Sequence, residues 1–152
     1  MSQEKNAIDL ETSMGYLLKE VSMALRVAME DILRPLGMTV THYSCLELLA
    51  QRPGMTNSDL ARGAFVTRQS MNVLLQALQR DGLVSRPTHA SSGRALPAEL
   101  TVKGRKQLKT ATAAVRAIEI QMLAGITDRD RELCFRALRQ MISSLKPSMP
   151  VG

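Results

Sequence analysis

The sequence predicts a mainly α (α+β) fold with a single small hairpin. Three observations carry this expectation. Apolar residues recur at helical spacing over most of the chain. Two N-cap signals, Thr56 and Thr67, enclose a short apolar turn at Ala64, Phe65 and Val66. A helix stop at Asp81-Gly82 is followed by a short β-like run, a polar loop and a return.

Taken in order, Met1 to Asp9 is polar and expected to be loose. Thr12 or Ser13 then caps a long helix. Its stripe is Met14, Leu17, Leu18, Val21, Leu25, Ala28, Ile32 and Leu33, and Pro35 and Gly37 end it. Thr39 caps the next helix, which runs to about Arg52. Tyr43, Leu46, Leu49 and Ala50 are its expected buried face, and Pro53-Gly54 makes the turn after it. Thr56 and Asp59 have capping-box spacing, with Asp in place of the usual Glu. Behind Thr67, the residues Met71, Leu74, Leu75 and Leu78 form one buried face. Leu83 to Ser85 is the first strand and Ala95 to Leu100 the second. Pro97 cannot donate to a ladder, so the second strand should be an edge or be broken there. Thr101 caps a long helix with Val102, Leu108, Ala111, Val115, Ile118 and Met122 along one side, closed by Gly125. Thr127 and Asp130 repeat the capping spacing. The last stripe is Leu133, Ala137, Leu138, Met141, Ile142 and Leu145.

A helix-turn-helix followed by a hairpin is a winged helix-turn-helix. Arg68, Gln69, Ser70 and Asn72 occupy the outer face near the start of its second helix. These side-chain types hydrogen-bond to base edges and phosphates. Thr67 and Asn57 can donate to phosphates, although capping alone explains the threonine. Charge tracks the motif. Residues 1–59 hold 5 basic and 8 acidic side chains, residues 60–106 hold 8 and 2, and residues 107–152 hold 7 and 4. The positive excess therefore concentrates where phosphate contacts would be needed.

The run Arg80-Asp81-Gly82-Leu83-Val84-Ser85-Arg86 and, after the loop, Leu100-Thr101-Val102-Lys103-Gly104-Arg105 resemble the core of the MarR (multiple-antibiotic-resistance regulator) family of winged-helix transcription factors. The likeness extends over nearly the whole chain. It implies one domain over 1–152, with a winged-helix part at 39–101 and long N- and C-terminal dimerisation helices at 10–35 and 101–146. The wing departs from the family. Members commonly carry Asp-Arg-Arg near its tip, where this chain has Ser92, Gly93 and Arg94. By position Arg94 keeps the minor-groove role, while Arg86 at the wing base positions phosphate or closes an ion pair. In this family small aromatic or lipophilic effectors often bind between the dimerisation helices and the winged helix. His42, Tyr43, Tyr16, Arg26 and Met23 are the expected lining here. Some members sense oxidants through a Cys. Cys45 and Cys134 are both expected to be small buried core residues instead.

The terminal stripes carry more apolar surface than a small winged helix covers, which points to a partner. A two-fold homodimer is the commonest solution, and it would offer two recognition helices to palindromic double-stranded DNA. Aromatics are 3% with no Trp, which disfavours a base-stacking platform for single strands. Two Cys form no disulfide framework or zinc set, so neither metal nor cofactor is expected. The N-terminus lacks a basic region followed by an apolar run, and no stretch has membrane-span length, so a cytoplasmic protein is expected. His42 and His89 have no nucleophile or carboxylate at a telling spacing, so no enzyme is expected. A winged helix that binds protein rather than DNA, or one that senses redox state, stays open as an alternative.

Overall fold

A computed structural model describes residues 6–86 and 97–146. The elements follow the order α1 (Met14–Leu33), a 3-10 turn (Arg34–Leu36), α2 (Val40–Gln51), α3 (Asn57–Gly63), α4 (Arg68–Arg80), β1 (Val84–Ser85), β2 (Glu99–Leu100), α5 (Val102–Met122) and α6 (Asp128–Leu145). The described residues fall into two compact units that divide between Ile118 and Glu119, within α5.

Local capping chemistry sets the helix starts. Ser13, Thr39, Thr56, Thr67 and Thr127 each accept a backbone N–H from three residues on. Such caps satisfy N–H groups that have no partner inside the helix. At α3 the box is reciprocal: Asp59 N–H donates to Thr56 Oγ1 and Thr56 N–H to Asp59 Oδ2, both at 3.1 Å. Bonds to the charged form hold the Asp59 carboxyl below its ordinary range, with the Thr56 backbone N–H the largest cause. Gly82 ends α4 at φ 75°, a left-handed conformation that glycine adopts without cost.

The first unit holds the core. Leu33 from α1, Cys45 and Leu46 from α2, Leu60 from α3, and Met71, Leu75 and Leu78 from α4 are its most deeply buried side chains. Leu108, Ala111 and Val115 of α5 and Val84 and Leu100 of the hairpin join them. The hairpin is antiparallel and two residues long on each side, pairing Val84 with Leu100 and Ser85 with Glu99. The return strand starts after Pro97, as a residue without an N–H requires.

Three expectations are corrected. Ala50 is exposed, because Cys45, Leu46 and Leu49 set the core face of α2 and Ala50 lies past its edge. Val102 is 86% exposed at the first turn of α5, where Gly104 instead packs inward. Cys134 is exposed rather than core, because no residue of α6 is buried. Among the described residues, the second unit is a helix with a short lead-in and has nothing of its own to cover an apolar stripe. Leu133, Phe135, Leu138 and Ile142 stand 40% or more exposed there.

Candidate nucleic-acid interface

The helix-turn-helix is α3, the turn Ala64–Val66 and α4. Its turn is tight: Val66 N–H donates to the Ala61 carbonyl at 3.0 Å, and Phe65 takes a positive φ of 60°. That conformation is unfavourable for a bulky residue. It turns the Phe65 ring outward, where it is 94% exposed.

α4 buries Met71, Leu75 and Leu78 and exposes Arg68, Gln69 and Ser70 at its first turn. Arg68 makes no ion pair among the described residues, and Gln69 is likewise exposed. The Ser70 and Thr67 hydroxyls hydrogen-bond to each other at 2.9 Å, so both belong to the cap. Asn72 is half-buried and serves a second purpose. Asn57 donates through Nδ2 to Asn72 Oδ1, and Arg86 donates through Nη2 to Asn57 Oδ1. This relay ties the base of the hairpin to α3 and α3 to α4. Arg86 therefore bonds to an amide and makes no ion pair among the described residues. Arg94 and the wing tip lie outside the described residues.

The far end of α4 is clamped by the start of α5. Thr101 donates through its N–H to the Leu83 carbonyl at 3.1 Å and through Oγ1 to the Gly82 carbonyl at 2.6 Å. Lys103 Nζ donates to the Asp81 carbonyl at 2.8 Å. Thr101 Oγ1 also caps α5 by accepting the Gly104 N–H at 3.0 Å. The approach is close enough that a Cβ on Gly104 would sit 2.1 Å from the Leu83 carbonyl oxygen.

A cleft of about 290 Å³ opens between α1, α2 and the α3–α4 turn, lined in part by Ser22, Leu25, Arg26, Ser44 and Phe65. Arg26 thus reaches it, held at 3.0 Å by Glu30 one turn along α1. The other four expected ligand residues do not line it. Tyr16 and Met23 are exposed on α1, and Tyr43 is half-buried against the core. The imidazole of His42 stands beside Gln107 of α5 instead, with Nε2 and Gln107 Oε1 both buried and without a hydrogen bond of normal length. Burial holds the His42 pKa below its ordinary value, against the opposing pull of Gln107 and Asp81. Cys45 is fully buried, and that burial pushes its thiol pKa up to about 12. A thiol so rarely ionised is a poor redox nucleophile.

Sequence reasoning missed the contribution of Ala64–Val66 to the cleft, because no local pattern reveals which helix a turn packs against. It also missed Val73 and Gln76 on the outer face of α4, although their spacing from Gln69 could have found them.

Comparison with known proteins agrees with this architecture. The sequence pattern of the MarR family matches residues 36–95. The HTH-type transcriptional repressor Rv2887 of Mycobacterium tuberculosis is 45% identical over 117 residues, which cover 77% of this chain and 84% of that one. Crystal structures of the M. tuberculosis MarR family protein Rv2887 are similar in fold. The complex with salicylic acid gives a TM-score of 0.72 at 42% identity, covering 86% of this chain and 96% of that one. The complex with DNA gives 0.70 at 39% identity, covering 86% and 98%. By that identity and coverage, and with a helix-turn-helix and hairpin set between long flanking helices, the chain belongs to the MarR family.

Proposed function

We propose that this chain is a homodimeric transcriptional regulator, a ligand-responsive repressor that binds a palindromic operator in double-stranded DNA. The carrying observation is the first turn of α4. It presents Arg68 and Gln69, exposed, from a helix whose opposite face is locked into the core. This is the arrangement that lets a helix enter the major groove without disturbing the fold. Net positive charge over residues 60–106 supports phosphate contact around it. Arg94 belongs to the same reading as the minor-groove contact of the wing.

The division of labour follows. Residues 39–101 read DNA, while 10–35 and 101–146 dimerise. Leu17, Leu18 and Val21 of α1 are 38% or more exposed, as are Leu133, Leu138 and Ile142 of α6, and apolar surface of this extent calls for a partner. A two-fold pair would set two α4 helices about one DNA turn apart. The cleft beside Arg26 and Phe65 suits a small aromatic carboxylate, the class of the salicylic acid bound to Rv2887. Such a ligand needs only a preference for one spacing of the two α4 helices to change DNA affinity. No described helix is long and apolar enough to cross a membrane, which suits a cytoplasmic site of action on DNA. We assign no enzymatic activity.

Arg68→Ala tests the reading. It should weaken operator binding by about 1–3 kcal/mol while the melting temperature holds. Unchanged affinity with an intact fold would remove Arg68 from the interface.

A further inference from the structure

Opposite the buried face of α4 lies a second stripe. Gln69, Val73, Gln76 and Arg80 follow one another at helical spacing, and all are exposed. Val73 is the apolar member and is 62% exposed. An exposed valine on a helix needs no explanation by itself. This one sits in the middle of the outward face of the second helix of a helix-turn-helix, with an amide side chain a turn away on either side.

Base edges in the major groove offer one apolar group, the C5-methyl of thymine. They also offer adenine N6 and N7, which a glutamine amide can bond together. Four residues of helix advance about 6 Å, close to two base steps of about 3.4 Å. Gln69, Val73 and Gln76 can therefore meet successive positions along one half-site. We propose that Val73 is a specificity-determining residue that packs on a thymine C5-methyl, with Gln69 and Gln76 reading adenine edges beside it. This rests on the DNA-binding reading above and adds a chemical preference to it: half-sites in which an A·T pair is recognised through its methyl group.

The test uses the full chain and an operator recovered by selection from random duplexes. Each thymine of the half-site is replaced in turn by deoxyuridine, which removes the methyl and keeps the pairing. Affinity is read by fluorescence anisotropy for the wild type and for Val73→Ala. Because Val73 is exposed, the variant should melt with the wild type. At one thymine per half-site, the wild type should lose about fourfold in affinity, the effect of one methyl-sized apolar contact. Val73→Ala should bind the intact operator correspondingly more weakly and be indifferent to deoxyuridine at that place. The proposal is overturned if no deoxyuridine weakens the wild type, or if Val73→Ala discriminates thymine from deoxyuridine as well as the wild type does. If the wild type still prefers the operator to scrambled duplex in either case, the methyl contact alone has failed. If no selected duplex is preferred, the DNA-binding reading has failed with it.

Discussion

At the scale of single residues, burial decides the chemistry of the groups that look reactive in the sequence. Cys45 is wholly enclosed and its thiol stays protonated, whereas exposed Cys134 lies in a unit with no buried residue among those described. His42 shows a similar effect with a consequence for pH. Its folded pKa lies below the ordinary value because burial disfavours the imidazolium. The unfolded chain takes up a proton near pH 6.5 and the folded chain resists it. Folded stability should therefore be complete above that pH and fall as pH drops through it. Chemical denaturation between pH 8 and 5.5 should show the loss, and His42→Gln should reduce it. Parallel curves for the two proteins would mean that His42 carries no such penalty. The same sign holds for Asp59, in a more acidic window. Its depressed carboxyl pKa supports the capping box above the ordinary carboxylate range, and that support fades as acid protonates it.

At the scale of elements, the start of α5 and the end of α4 behave as one part. Thr101, Lys103 and Gly104 between them engage the Asp81, Gly82 and Leu83 carbonyls. Gly104→Ala should be destabilising by about 1–3 kcal/mol, because the added methyl must displace backbone rather than a pliable side chain. Thermal melting would register it, and a variant as stable as the wild type would show that α5 can slide without strain. Helix starts were legible in the sequence because a cap needs only residues three apart: Thr39, Thr56, Thr67 and Thr127 serve as read, and of the pair Thr12 and Ser13 it is Ser13 that caps α1. The Asn57–Asn72–Arg86 relay was not legible, since its partners are 15 and 29 residues apart. The periodic stripe of α6 was readable, but periodicity states which side is apolar and not what covers it, so Cys134 was misplaced. On α4 the polar side-chain types near the N-terminus drew the expected readers. The axis opposite Met71 and Leu75 picks out Val73 and Gln76 as well.

At the scale of the whole molecule, the features converge on recognition of a charged duplex. A helix anchored at both ends carries its exposed side chains as a rigid set, so little ordering is left for binding to supply. Clustering of positive charge along residues 60–106 adds a contribution that does not depend on sequence. Sequence specificity is the part the proposal assigns to the exposed face of α4.

The deciding measurement is fluorescence anisotropy of the full chain against duplexes selected from a random library, at several salt concentrations. A palindrome bound far more tightly than scrambled duplex, with affinity falling steeply as salt rises, is the predicted result. Weak and uniform binding to every duplex would contradict the account and would point to protein as the partner of this winged helix.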